Sequence, residues 1–122
     1  MKIDINPTTA LDLRTEVPRS GRDMLGGFAW LGRMIDKARA KQAGTLGDYI
    51  SLCPFDKGFL ARTHVSEDTF VDMIRGGLSD AEFVEYFQRE VSAADRDSAN
   101  EWVLKDQASH LDEQDAEEGR KA

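Results

Sequence analysis

The sequence MIDKARAKQAGTLGDYISLCPFD, residues 34–56, joins a predicted helix to a glycine-flanked loop that holds the only cysteine of the chain, Cys53. Arg39 lies four residues after Ile35 and therefore projects onto the apolar side of that helix. A buried guanidinium needs an acidic partner, because an unpaired buried charge is very costly. The stretch therefore predicts either an internal ion pair or a binding site close to the cysteine.

The helix that contains this stretch is predicted to begin at Ser20 and to end at Gly44. Ser20 is a favourable N-cap residue with Asp23 three positions later, and Gly44 is a favourable C-terminal residue. Trp30 and Met34 form an apolar patch on the side opposite the main apolar stripe, and a helix that is apolar on two sides is expected to be covered on two sides. We therefore predict a central helix. Its main stripe consists of Met24, Phe28, Leu31 and Ile35.

The rest of the chain is predicted to pack around this helix. Residues 1–19 contain two prolines and no helical period, which predicts an extended arm with Leu11, Leu13 and Val17 as its apolar contacts. Residues 49–52 are predicted to be extended, since Pro54 disfavours helical backbone at the residue before it. A short helix is predicted over residues 56–62.

The acidic half of the chain predicts further helices. SEDTFVDMI, from Ser66, and SDAEFVEYF, from Ser79, share a serine N-cap and a Phe-Val pair, which predicts a helical hairpin. A last helix is predicted over residues 97–111, followed by a disordered acidic tail over residues 112–122. The fold class is therefore all-α: residues 1–111 form a single domain of about five helices around a central helix, with an extended N-terminal arm.

Charge and composition exclude several classes of partner. The net charge is −7, divided into +3 for residues 1–62 (10 basic, 7 acidic) and −10 for residues 63–122 (6 basic, 16 acidic). The acidic half would repel nucleic acid and anionic membranes. No apolar run approaches the roughly 20 residues of a membrane span, and the N-terminus lacks the apolar segment of a signal peptide. We expect a cytoplasmic protein with neither kind of partner.

Cysteine and histidine give little support to catalysis or metal binding. A nucleophilic cysteine usually needs a histidine base, and no spacing links His64 or His110 to Cys53. A buried structural thiol is the simpler interpretation. One cysteine and two distant histidines do not predict a zinc site, and no nucleotide-binding motif is present, so no metal and no cofactor are expected.

The basic residues allow two interpretations each. Arg39 either pairs with Asp36 near the end of the helix, or grips the carboxylate or phosphate of a ligand. Arg14 and Arg19 on the arm either complete an anion pocket at the helix N-terminus, or fix the arm by pairing with acidic residues.

Five motifs in the first half of the chain resemble a known family. DLRTEVPRS, LGG, GRMIDKARA, AGTLGDY and CPFD occur in this order over about residues 11–60. As a set they resemble the bacterial domain-of-unknown-function family numbered 5069, with Gly21 where proline is expected and Gly32 where alanine is expected. The resemblance implies no established activity. It implies that the arm, the helix and the loop form one unit with a shared site.

These observations lead to three hypotheses about function. The first is a non-catalytic domain whose polar pocket binds a small anionic ligand or the carboxylates of a protein partner. The second is an enzyme with Cys53 as nucleophile, Asp56 as proton carrier and Arg39 as substrate clamp. The third is a structural homodimer that buries Trp30 and Met34. The predicted pocket consists of Arg14, Arg19, Asp36, Lys37, Arg39, Cys53 and Asp56.

Overall fold

The computed structural model describes residues 10–120, which form six α-helices and one π-helical turn. The all-α prediction is confirmed; what was predicted for residues 1–9 and 121–122 lies outside the described residues. In chain order the elements are α1 (Leu31–Ala43), α2 (Pro54–Thr63), α3 (Glu67–Arg75), α4 (Asp80–Glu90), α5 (Ala93–Glu101), the π-helical turn (Trp102–Asp106) and α6 (Ala108–Glu117).

Helix α1 is the centre of the fold. All ten residues from 31 to 40 are buried, and α3 packs against the helix. The prediction of a central helix covered on more than one side is confirmed. Trp30 and Met34 are 0% and 1% exposed, so they contact other parts of the same chain and leave no surface for the homodimer contact assigned to them.

The predicted start of this helix at Ser20 is wrong. Gly26, Gly27 and Trp30 have φ angles of 61°, 88° and 73°, which a right-handed helix cannot contain. The Ser20 N–H donates to the Asp23 carboxylate, so the predicted cap closes a turn instead of a helix. Met24 is 52% exposed as a result and does not join the apolar stripe.

The arm is not extended throughout. The backbone carbonyl of Asp12 accepts two amide hydrogen bonds and closes a turn at residues 13–16. Leu13 is buried, and its N–H donates to the carbonyl oxygen of Thr45 at 2.8 Å. Val17 is 41% exposed and makes no core contact of the predicted kind. The buried Leu13 and its hydrogen bond to Thr45 therefore attach the first part of the arm.

Helix α2 begins at Pro54, two residues earlier than predicted, and the loop before it consists of turns instead of the extended piece predicted over residues 49–52. Cys53 is the N-cap: its Sγ accepts from the N–H of Asp56, while the Asp56 carboxylate accepts from the N–H of Cys53. The large apolar residues of α2 are all buried: Phe55, Phe59 and Leu60.

The two helices predicted from the serine caps are present as α3 and α4, with Ser66 and Ser79 as N-caps and a capping box between Ser79 and Glu82. Aromatic side chains connect these helices to the core. Phe28 meets Phe87 of α4 edge to face at 5.5 Å between ring centroids.

The C-terminal region is more ordered than predicted. The single helix predicted over residues 97–111 is wrong: α5 begins at Ala93, and the π-helical turn separates it from α6. The predicted disorder from residue 112 is also wrong for the described residues, because α6 runs to Glu117 and its Asp115 is buried. Asp115 accepts hydrogen bonds from Ser20 and from Arg22, at 2.9 and 2.8 Å. Ser20 and Arg22, which precede α1, thus hold α6 in place.

Candidate functional site

A cleft of about 750 Å³, here called the Cys53 cleft, lies between α1, the loop over residues 47–53 and α6. Arg33 and Lys37 of α1 are its most buried charged residues, at 3% and 4% exposed. The loop contributes Tyr49 and the partly buried Cys53. Helix α6 contributes His110 and Gln114, and the residue after it contributes Glu118.

The Cys53 thiol lies within a buried polar cluster. Its Sγ accepts from the Nζ of Lys37 at 3.3 Å and from the N–H of Asp56 at 3.5 Å. Asp56 is 0% exposed. Its carboxylate pairs with Lys37 at 3.0 Å and accepts from the indole N–H of Trp30 at 2.8 Å. Asp56 therefore fixes the positions of both the Cys53 thiol and the Lys37 ammonium group.

A second cluster ties the end of α6 to α1. Arg33 donates two hydrogen bonds to the Glu118 carboxylate, at 2.9 and 2.7 Å, and the Tyr49 hydroxyl donates to it at 2.9 Å. Burial opposes ionisation of Glu118, but the hydrogen bonds from Arg33, Arg120 and Tyr49 outweigh it and hold its pKa below the ordinary value. Burial and the bond to Glu118 raise the pKa of Tyr49 to about 12.

The predicted pair of Arg39 and Asp36 is not formed. Asp36 pairs with Arg19 of the arm at 2.9 Å, and Asp80 of α4 bridges Arg19 and Arg39 at 3.0 Å each. Burial raises the pKa of Asp80, but the two guanidinium groups outweigh it and the net shift is downward. Each acid thus finds its partner on another element. We call these four residues the arm network.

None of the four residues of the arm network lines the Cys53 cleft. Arg39 follows Lys37 by two residues, which turns its side chain about 200° around α1. Its guanidinium donates to Asp80 and to the carbonyl oxygen of Leu78. Arg39 is therefore not beside Cys53, where the enzyme hypothesis requires it.

The seven predicted site residues divide into three groups. Arg14, Lys37 and Cys53 line the cleft, and Asp56 lies directly behind it. Arg14 is at the rim, 60% exposed and paired with Asp12 at 2.9 Å. The other three belong to the arm network: Arg19, Asp36 and Arg39.

Sequence reasoning missed several residues of the cleft. Arg33 is one of them, and its side chain is buried in an ion pair with Glu118. Glu118 and Gln114 lie in the segment predicted to be a disordered tail. Nothing in their local sequence pairs them with α1, since a contact between positions 33 and 118 depends on the tertiary fold.

The cleft contains unused hydrogen-bonding capacity. Among residues 10–120, the buried side-chain polar atoms without a partner are the Nε of Arg33 and the Oε1 of Gln114. Both residues line the Cys53 cleft, one from α1 and the other from α6. Buried polar atoms without partners are rare in folded proteins and costly. This part of the fold therefore keeps one unused donor and one unused acceptor.

Acidic groups outnumber basic groups around the cleft. Its three cations each have a carboxylate partner: Arg14 pairs with Asp12, Arg33 with Glu118 and Lys37 with Asp56. The rim adds three exposed acids, Asp48, Glu113 and Glu117. A multiply charged anion would meet no net positive field here.

In the part of the chain that the structure describes, no cluster of three His, Cys, Asp or Glu side chains is placed to hold a metal ion. Within the same residues, no helix has the length and apolar character to cross a bilayer.

A family model described as a domain of unknown function (DUF5069) matches residues 15–121, which include all six α-helices. A comparison with curated proteins finds no match.

Proposed function

The chain belongs to the domain-of-unknown-function family DUF5069, and we propose that it is a binding domain whose Cys53 cleft takes a small molecule with one carboxylate and one amine. This narrows the sequence-based hypothesis of a small anionic ligand. The family description names no activity, so the proposal depends on the cleft.

The observation that carries the proposal is the pair of unpartnered buried atoms. A ligand carboxylate can accept from the Nε of Arg33, and a ligand amine can donate to the Oε1 of Gln114. Both atoms are covered in the unliganded chain, so binding requires a small side-chain movement. A ligand that satisfies both atoms removes two desolvation penalties, each about 1–3 kcal/mol.

Size and charge favour the same class of ligand. A volume of about 750 Å³ lies within the range of small-molecule sites. Lys37 uses its ammonium group on Asp56 and Cys53 and retains a third N–H for a carboxylate. Glu113 and Glu117 at the rim attract a ligand amine and repel a second anionic group. A zwitterion suits this arrangement better than a phosphate or a nucleotide.

Thermal unfolding with matched ligands tests the proposal. The panel contains free amino acids, their N-acetyl derivatives, their amides and inorganic phosphate. A zwitterion at 100 times its dissociation constant should add about 2.7 kcal/mol, which raises the melting temperature by roughly 10 °C. The N-acetyl derivatives and the amides, which each lack one charge, should shift it less. No shift with any member of the panel would refute the proposal.

Two variants locate the effect. Gln114→Leu removes the unused acceptor and should reduce the ligand-induced shift without changing the fold. Arg39→Lys is the control, because it changes α1 in the arm network and should retain the full shift. Equal losses in both variants would place the ligand elsewhere.

The cysteine-dependent enzyme is the second candidate, and one observation favours it: two donors converge on the Cys53 sulfur. The structure does not support the roles of substrate clamp and proton carrier that the sequence suggests for Arg39 and Asp56. Arg39 lies in the arm network, and Asp56 is enclosed by protein donors. In an enzyme, Lys37 would take the role given to Arg39. Turnover of a thioester or another acyl substrate, lost in Cys53→Ser, would favour this candidate.

A further inference from the structure

We infer that Cys53 is a modification site, whose thiolate is oxidised by hydroperoxides to a sulfenic acid and then captured by a small external thiol. The inference concerns the thiol itself and does not depend on the ligand proposed for the cleft. It assigns a chemical role to a residue that the binding hypothesis leaves without one.

The sulfur is placed where negative charge is stabilised. Cys53 is the N-cap of the ten-residue helix α2, and its Sγ accepts from the backbone N–H of Asp56 at 3.5 Å. The Nζ of Lys37 donates to the same sulfur at 3.3 Å. A helix N-terminus and a neighbouring lysine are two environments that favour the thiolate form of cysteine. Lys37 is 4% exposed, so solvent screens its charge little.

The ammonium group is held in position by its other partner. Asp56 pairs with Lys37 at 3.0 Å and is itself fixed by the indole of Trp30 and by the backbone N–H of Cys53. Asp56 also cancels part of the lysine charge. The remaining stabilisation of the thiolate therefore depends on the two hydrogen bonds to sulfur as much as on the net charge.

The thiol is accessible, and it shares its surroundings with a second ligand-directed feature. Cys53 is partly buried but lines the cleft, which has room for a peroxide or a small thiol. Arg33 lines the same cleft, is 3% exposed and has an unpartnered Nε. That N–H is covered, and after a small movement of the Arg33 side chain it can donate to an oxygen or a carboxylate of the incoming molecule.

The chemistry balances with a hydroperoxide as oxidant. The thiolate attacks one peroxide oxygen, an S–O bond forms, the O–O bond breaks, and the leaving hydroxide or alkoxide takes a proton. The cysteine is oxidised and the peroxide is reduced. A small thiol then attacks the sulfenic sulfur, an S–S bond forms and water leaves. Since the chain has one cysteine, the second thiol must come from outside it.

The rate of oxidation tests the inference in the wild-type chain. Hydrogen peroxide with glutathione is added near neutral pH, and intact mass follows the mixed disulfide in the folded protein and in the same protein in urea. The sulfur, which accepts from Lys37 and from the N–H of Asp56 only in the folded chain, should react about tenfold faster there than in the unfolded chain. A folded chain that reacts more slowly than the unfolded chain would overturn the inference.

Variants assign the effect to the lysine. Lys37→Met should lower the folded rate towards the unfolded rate, whereas Lys37→Arg, which keeps the charge, should retain most of it. Arg39→Gln, on the other side of α1, should leave the rate unchanged. If Lys37→Met does not fold, the comparison of the folded with the unfolded wild-type chain still decides whether the fold activates the sulfur. Equal rate losses in Lys37→Arg and Arg39→Gln would show general destabilisation and would overturn the role of Lys37.

Discussion

Arg19 and Asp36 are joined by three hydrogen bonds across seventeen residues of sequence. The Asp36 carboxylate accepts from the backbone N–H of Arg19 at 2.9 Å, from its Nε at 3.1 Å and from its terminal guanidinium at 2.9 Å. The side chain of Asp36 is 7% exposed and that of Arg19 is 31% exposed. This pair holds the arm against the centre of α1.

Arg19→Met should destabilise the fold by about 3 kcal/mol, at the lower end of the range for breaking a buried pair because the arginine is partly exposed. Asp36 and Asp80 would lose their shared cation. Urea unfolding followed by circular dichroism measures the change. Arg14→Met is the control, since the pair of Arg14 with Asp12 is exposed. It should unfold at the same urea concentration as wild type. Equal midpoints for all three proteins would contradict a structural role for the arm network.

The capping box of α2 gives a second prediction. Asp56→Ala leaves the ammonium of Lys37 buried without its carboxylate and the indole N–H of Trp30 without an acceptor. The expected loss is about 3–5 kcal/mol. Cys53→Ser retains an N-cap of a preferred type and should unfold at the wild-type urea concentration or above it. A Cys53→Ser protein as unstable as Asp56→Ala would show that the sulfur has a packing role of its own.

The sequence predicts those helices whose start and stop signals are local. Ser66, Ser79 and Gly44 mark helix ends in the structure as they do in the sequence. Ser20 carries the same kind of signal and caps only a turn, because Gly26 and Gly27 take left-handed conformations six and seven residues later. A cap signal predicts a helix only where the following turn can remain right-handed.

The candidate site could be predicted only in part, for a related reason. The sequence predicts Cys53 and Lys37 as site residues, and the Nζ of Lys37 lies 3.3 Å from the Sγ of Cys53. Arg39 was chosen for its projection onto the apolar stripe, and it is buried there, but its acid comes from α4 instead of from Asp36. Helical spacing shows which side chains turn inward. Which acid reaches each of them is decided by contacts between distant parts of the chain.

Stability at acid pH should depend on Glu118. Its pKa in the folded chain lies below the unfolded value of 4.5, so the unfolded chain binds more protons in this range and stability falls as pH decreases. The contribution is present above pH 4.5 and is lost as pH falls through the lower folded pKa. Urea unfolding over this range should show wild type more stable than Glu118→Gln at neutral pH, with the difference shrinking below about pH 4.5. A difference independent of pH would assign the effect to packing.

Tyr49 should ionise late at alkaline pH. Burial and the hydrogen bond to Glu118 raise its pKa from 10.0 to about 12, so its contribution to stability is complete below pH 10.0 and is lost as pH rises towards 12. Tyrosinate absorbance in a pH titration should show a late step in wild type that is missing from Tyr49→Phe. If both proteins show the same late step, it belongs to Tyr86, the other tyrosine.

Gly21 and Gly32, where the resemblance predicts proline and alanine, should respond in opposite ways to alanine. A Cβ at Gly21 would lie 2.6 Å from the indole of Trp30 and 2.7 Å from Leu111. Both side chains are fully buried, so Gly21→Ala should lower the free energy of unfolding by about 1–3 kcal/mol through overpacking.

A Cβ at Gly32 would meet Arg19, with its nearest atom at 3.0 Å. The partly exposed arginine can shift slightly, and alanine gains about 0.5–1 kcal/mol over glycine inside a helix, so Gly32→Ala should be neutral or stabilising. Urea midpoints decide, and a Gly32→Ala protein as unstable as Gly21→Ala would show that Arg19 and Asp36 hold their geometry too rigidly to admit one methyl group.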